Sequence, residues 1–164
     1  MNPRLRSALI VIALVVLDRV TKIGIQHSFS PYDIFPVIPG ILNIVHAENP
    51  GAAFSMLADA SPVIRKLVLI GLSTFVLTIV GVLLWRSPNS SSGVRETLMR
   101  AGLTLVFGGA LGNLIDRVFR GTVTDFIQVF IGSYEFPSFN VADSAITIGA
   151  GLLVIDLLRN RKTG

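Results

Sequence analysis

Cysteine is missing from the sequence altogether, which excludes a disulfide framework, a thiolate nucleophile and any cysteine-based metal site. Charge is scarce as well. Only 15% of the residues are Asp, Glu, Lys or Arg, against roughly 25% in an ordinary soluble domain. Histidine is limited to His27 and His46, and His46-Ala47-Glu48 lacks the two-histidine helical spacing of a zinc protease, so both read as loop residues and no metal is expected. No long Ser/Gly-rich or single-sign linker offers a place to divide the chain, so a single domain over residues 1–164 is expected.

The chain is instead rich in apolar residues. Hydrophobic side chains make up 51% of it and the mean hydropathy is +0.70, so a bilayer is its natural solvent. Four apolar runs approach the roughly 20 residues needed to cross a hydrocarbon core: about residues 5–25, 66–85, 100–118 and 141–158. Each is a candidate transmembrane helix, with external segments at 26–65 and 119–140. The first run, with Arg4 and Arg6 before it, also has the outline of a signal peptide. Asp18, Arg19 and Lys22 occupy the place of a cleavage region and no small-x-small site follows, so an uncleaved anchor is expected.

The net charge of +4 points to membrane orientation rather than to nucleic acid, because the basic residues flank the apolar runs. Arg4 and Arg6, then Arg86, Arg95 and Arg100, then Arg159, Arg161 and Lys162 all fall on one side if there are four crossings. That bias places both termini in the cytoplasm. The cytoplasmic connector, Ser87 to Gly93, reads as flexible. The external segments carry the β-prone run Ile41 to Val45 and a second from Thr122 to Ile131, so a small external sheet is expected. The fold class is therefore a membrane all-α protein with a small β element.

Charges within a span cost on the order of 3 kcal/mol each at mid-bilayer, yet here they gather at one level. Asp18 and Lys22 share a face near the outer end of the first span, and Asn113 and Arg117 repeat that spacing near the outer end of the third, with Asp116 between them. Asn140 and Asp143 open the fourth span, and Asp125 lies just beyond the third in an apolar run. Pairing of Asp18 with Lys22 and of Asp116 with Arg117, and helix capping by Asn140 and Asp143, account for part of this set. They do not account for Asp125, whose pKa should be raised by burial and by a nearby carboxylate.

Five ordered motifs cover nearly the whole chain: Asp18-Arg19-Val20-Thr21-Lys22, Asn49-Pro50-Gly51-Ala52-Ala53-Phe54-Ser55, Gly108 to Arg117, Val123-Thr124-Asp125-Phe126, and Phe139-Asn140-Val141-Ala142-Asp143-Ser144. Together they resemble lipoprotein signal peptidase, the bacterial signal peptidase II. Pro50 and Thr124 are less usual choices at variable motif positions. The resemblance implies an aspartic endopeptidase of the bacterial inner membrane with four membrane helices, a small external β-cradle and a mobile external loop or helix. It places the catalytic dyad on Asp125 and Asp143, and it makes Asp18, Lys22, Asn49, Gly51, Asn113, Arg117 and Asn140 supporting residues around substrate and dyad. The implied substrate is a diacylglyceryl-modified prolipoprotein cut before its lipidated cysteine at the outer face. Membrane phospholipid is the other expected partner, with no cofactor and a monomeric state.

Other chemistries fit the residues less well. A Ser/Lys dyad of Lys22 with Ser55 or Ser144 lacks a nucleophile-elbow motif, and Lys22 already has Asp18. Gly108, Gly109, Gly112, Gly149 and Gly151 read as close helix packing rather than phosphate binding. A small transporter would carry polar groups through the full depth of its helices, whereas the inner halves here are almost purely apolar.

Overall fold

The computed structural model describes residues 1–51, 61–87 and 94–160. In chain order these form α1 (Pro3–Ser28), β1 (Ile34–Ile38), β2 (Leu42–Asn49), α2 (Pro62–Arg86), α3 (Val94–Phe119), β3 (Val123–Ile131), β4 (Tyr134–Glu135) and α4 (Val141–Asn160). The Ala52-to-Ser55 part of the second motif, most of the Ser87-to-Gly93 connector, and Arg161 and Lys162 lie outside the described residues.

The helices run past the apolar runs that announce them, for local reasons. Asn2 caps α1 by accepting from the Arg4 amide at 2.9 Å, with Pro3 in the first turn. Ser61 does the same for α2, accepting from the Ile64 amide at 3.3 Å ahead of Pro62, so that helix begins four residues before the hydrophobic stretch. A side-chain oxygen that accepts an orphan amide, followed by a proline with no amide to satisfy, is a favourable helix start.

α3 is the central helix, packing against α1, α2 and α4. Glycine permits the closest approach. A Cβ on Gly109 would lie 2.3 Å from the Ala142 carbonyl oxygen, and Gly102 and Gly149 each face the other's carbonyl at 2.8 and 2.7 Å. These backbones touch because neither helix has a side chain there. Gly108 and Gly112 are close-packed too, against Leu14 and Asp18, as expected. Gly151 is not, since a Cβ there would meet nothing within 4 Å; its face of α4 points away from the bundle.

Among the described residues three helices are long and apolar enough to cross a membrane: Pro62–Arg86, Thr97–Phe119 and Val141–Arg159. α1 matches them in length, but Asp18, Arg19 and Lys22 interrupt its apolar stretch. Arg4 reaches the Trp85 carbonyl at 3.2 Å and Arg100 the Ser87 carbonyl at 2.8 Å, so the α1 start, the α2 end and the α3 start lie together. The sheet sits at the opposite end.

That sheet has the order β1-β2-β3-β4, every pair antiparallel. β1 and β2 join through Gly40, and β3 and β4 through Gly132, both at positive φ. Both β-prone runs therefore lie in strands, as expected, with turns at Pro39-Gly40 and Gly132-Ser133. His46, read as a loop residue, lies inside β2, and His27 in the last turn of α1; alternation of His46 with apolar Val45 and Ala47 suits a strand.

Candidate active site

The two candidate aspartates arrive on different elements. Asp125 stands on β3 opposite Ala47 of β2. Between Ile44 and Ala47 the register slips: three steps along β2 span the two from Ile127 to Asp125 on β3. A bulge of this kind re-aims side chains beside it. Asp143 is the third residue of α4. Asn140 just before the helix accepts the Asp143 amide on its Oδ1 at 2.9 Å, and the Asn140 amide donates to Asp143 Oδ2 at 3.4 Å. The pair forms a reciprocal capping box, so the capping expected of Asn140 and Asp143 is present.

Asn140 does more than cap. Phe139 is laced to β3 by its carbonyl, which accepts from the Phe126 and Ile127 amides, and by its own amide, which donates to Ile127. This holds the fully buried Asn140 beside Asp125, and its Nδ2 donates to Asp125 Oδ1 at 2.7 Å. One asparagine thus bridges the two aspartates, Asp125 through its side-chain nitrogen and Asp143 through its backbone amide and side-chain oxygen.

Two further asparagines complete the frame. Asn49 Nδ2 donates to Asp125 Oδ2 at 3.0 Å, while Asn49 Oδ1 accepts from the Gly51 amide at 2.8 Å. Gly51 is needed for this turn: its φ is +95°, and a Cβ would sit 1.9 Å from Leu69 Cδ1 of α2. Asn113 Nδ2 donates to Asp143 Oδ1 at 2.7 Å, and its Oδ1 accepts from Lys22 Nζ at 3.0 Å. In all three amides an obligate donor, either a backbone amide or an ammonium, occupies the oxygen. The amide nitrogen must then face a carboxylate.

Lys22 is wholly buried and holds Asp18 Oδ2 and Asp116 Oδ2, each at 2.7 Å, besides Asn113. The expected Asp18–Lys22 pair is present. The expected Asp116–Arg117 pair is not: Asp116 Oδ1 accepts from Arg19 Nη1 of α1 at 2.7 Å. Residues at i and i+1 on a helix point to different faces, so the neighbouring helix supplies the cation. Asp18 Oδ1 meanwhile accepts from the Ala142 amide at 2.9 Å, placing a carboxylate at the positive end of α4. Arg117 lies within electrostatic reach of Asp143, Asp125 and Asp116, and its buried Nε has no hydrogen-bond partner among the described residues.

Burial pushes the Asp125 carboxyl up from 3.8 to about 6. The hydrogen bonds from Asn49 and Asn140 pull the other way, and the charge of Asp143 adds to the rise. Among the described residues no cation pairs with Asp125 directly, although Lys22 acts on it through space.

A second polar network, not anticipated, underlies the sheet. Thr124, fully buried, donates to Glu48 at 2.9 Å and accepts from Gln26 at 2.6 Å and Arg120 at 3.2 Å. Burial raises the Glu48 carboxyl, but hydrogen bonds from Thr122, Thr124 and His46 and the charge of Arg120 outweigh it and hold it below the usual range. These residues clamp β2 to β3 next to Asn49 and Asp125. The less usual Thr124 in the Val123-Thr124-Asp125-Phe126 motif was the one sequence signal for it.

The serine alternative loses its geometry. Lys22 is spent on three oxygens, and the Ser144 hydroxyl donates to the Asn140 carbonyl at 2.9 Å; Ser55 lies outside the described residues.

A family model described as signal peptidase (SPase) II matches residues 10–159. The lipoprotein signal peptidase of Solibacter usitatus is 41% identical over 152 residues, covering 91% of this chain and 88% of that protein. That of Geobacter sulfurreducens is 40% identical over 153 residues, covering 93% and 91%. Among solved structures, a bacterial membrane enzyme determined by the in meso method at 2.3 Å resolution superposes with a TM-score of 0.81 at 36% identity, covering 95% of this chain and 89% of the other. A second, at 1.9 Å resolution, gives 0.80 at 37% identity, covering 93% and 92%.

Proposed function

Because the chain belongs to the signal peptidase II family, we propose that it is an aspartic endopeptidase that removes the signal peptide from diacylglyceryl-modified prolipoproteins, cutting before the lipidated cysteine. Asp125 and Asp143 form the dyad. The observation that carries this reading is the bridge through Asn140, which binds Asp125 by its side-chain amide and Asp143 by its backbone and carbonyl oxygen. The charge of Asp143 acts on Asp125, whose own carboxyl burial already raises, so Asp125 is the member suited to carry a proton.

In this mechanism Asp143 takes a proton from the attacking water, and the α4 N-terminus and Arg117 favour negative charge there. Asp125, the carboxyl raised by burial, carries that proton, supports the developing oxyanion and then protonates the departing nitrogen. Asn49, Asn113 and Asn140 aim the carboxylates; Asp18, Lys22, Asp116 and Arg19 hold Asn113 and the start of α4. The lipobox backbone adds to the external sheet as a strand while the acyl chains stay in lipid.

The protein is a monomer of the bacterial inner membrane with α1 as a fourth span beside the three more apolar helices. Both termini lie in the cytoplasm and the site faces the periplasm. The Arg-rich helix ends clustered opposite the sheet support that orientation. The test is reconstitution of Asp125→Asn and Asp143→Asn with a lipid-modified prolipoprotein. Each should lose essentially all cleavage; near wild-type turnover by either variant would sink the dyad assignment.

A further inference from the structure

The bundle carries an unassigned cavity at the end remote from the aspartates. α1 and α2 each lie on α3 rather than on each other, and the crevice between them encloses about 330 Å³, within the range of small-ligand sites. Arg4 and Arg100 stand at its polar end, and Val11, Ile12, Leu84 and Phe107 form apolar walls. A second hollow continues it along α2 past Gly81 towards Thr74. From Thr74 to Trp85 the helix rises about 16 Å, a length that suits an acyl chain.

The polar end is built for an anion. Arg4 is stacked over the Trp85 ring at 4.4 Å and anchored to the Trp85 carbonyl, so its guanidinium is already positioned. Arg100 donates to the carbonyl of Ser87, whose own hydroxyl is buried and has no hydrogen-bond partner among the described residues. The described side chains that carry charge at these helix ends are Arg4, Arg6, Arg86, Arg100 and Arg159, with Asp156 the sole acid among them. Two guanidiniums lining one apolar slot match a phosphodiester joined to hydrocarbon.

We propose that this crevice is a binding site for an anionic phospholipid of the leaflet at the Arg-rich end. The phosphate is held by Arg4 and Arg100, and one acyl chain lies against Phe107 and along α2. The proposal rests on the reading that these helices span a membrane, but not on the peptidase chemistry at the other end. Its test is therefore independent of cleavage.

The full-length protein, purified in detergent, is incubated with phosphatidylglycerol or phosphatidylcholine of matched acyl chains and examined by native mass spectrometry. Phosphatidylglycerol should be retained at least about fivefold better, the effect of one surface arginine. Arg4→Gln should erase most of that preference. Ala8→Phe, which puts bulk at an exposed position lining the crevice, should lower retention of both lipids. Asp125→Asn should bind phosphatidylglycerol like wild type, which separates this site from the dyad. Equal retention of the two lipids, a preference untouched by both Arg4→Gln and Ala8→Phe, or a second protein copy in place of lipid would each overturn it.

Discussion

Replacing Lys22 by methionine keeps the length of the side chain and removes only its charge and its donors. In the folded protein that ammonium neutralises Asp18 and Asp116, which are 2% and 1% exposed, and it also fills the acceptor of Asn113. Asp116 would keep Arg19 and Asp18 would keep the Ala142 amide. The remaining excess of negative charge has no water to disperse it. Removing one partner of such a buried pair costs about 3–5 kcal/mol, and each kcal/mol lowers the melting temperature of a chain this size by about 2–4 °C. A fall of about 10 °C is therefore expected in thermal melts of the purified protein. Cleavage should suffer separately. With only the long contact from Asn140 Nδ2 at 3.4 Å left on its oxygen, Asn113 is freer to turn away from Asp143, and loss of one hydrogen bond to a charged group corresponds to about 10–100-fold in kcat. KM should change little. The reasoning predicts a rescue: adding Asp18→Asn removes one stranded charge while its oxygen still accepts from Ala142, and should restore about half of the lost melting temperature. A single variant that melts within about 2 °C of wild type would refute the charge argument, as would a double variant no more stable than the single.

Two other outcomes follow from the geometry. Asp125 titrates near 6, above its ordinary value, so its proton is fully held at low pH and lost as pH rises through that range; kcat/KM should fall about tenfold per pH unit above roughly 7. Asn49→Leu removes a hydrogen bond that favours the charged carboxylate, so the limb should move to higher pH, and a limb that stays or moves down would contradict the role given to Asn49. Gly109→Ala drives a methyl into the Ala142 carbonyl and should lower both melting temperature and cleavage, whereas Gly151→Ala, with open space around it, should leave both unchanged. Equal effects of the two substitutions would show that helix propensity rather than close packing governs these positions.

Much of the architecture was legible in the chain because it depends on local properties. Apolar run lengths marked the helices, Asn2-Pro3 and Ser61-Pro62 encode their starts, and Gly40 and Gly132 mark the hairpins. The clustering of Asp18, Lys22, Asn113, Asn140, Asp125 and Asp143 at one depth was readable too, since charge is too costly in a span to be scattered. Partner choice was not. That Asp116 pairs with Arg19 and not with adjacent Arg117, and that Asp18 reaches the α4 amide, depends on how α1, α3 and α4 pack around Gly109 and Gly112.

The sequence by itself thus determined which residues are too polar for their surroundings and roughly where along the helices they sit, because periodicity and transfer cost act along the chain. Only the tertiary structure decided which carboxylate each amide reaches. Asn49 and Asn140 have their oxygens claimed by nearby amides, those of Gly51 and Asp143, and Asn113 has its oxygen claimed by Lys22 Nζ of another helix; the aspartate that each nitrogen then meets is brought to it by the fold. A buried amide has one acceptor face, and whichever donor claims it turns the nitrogen towards the aspartate.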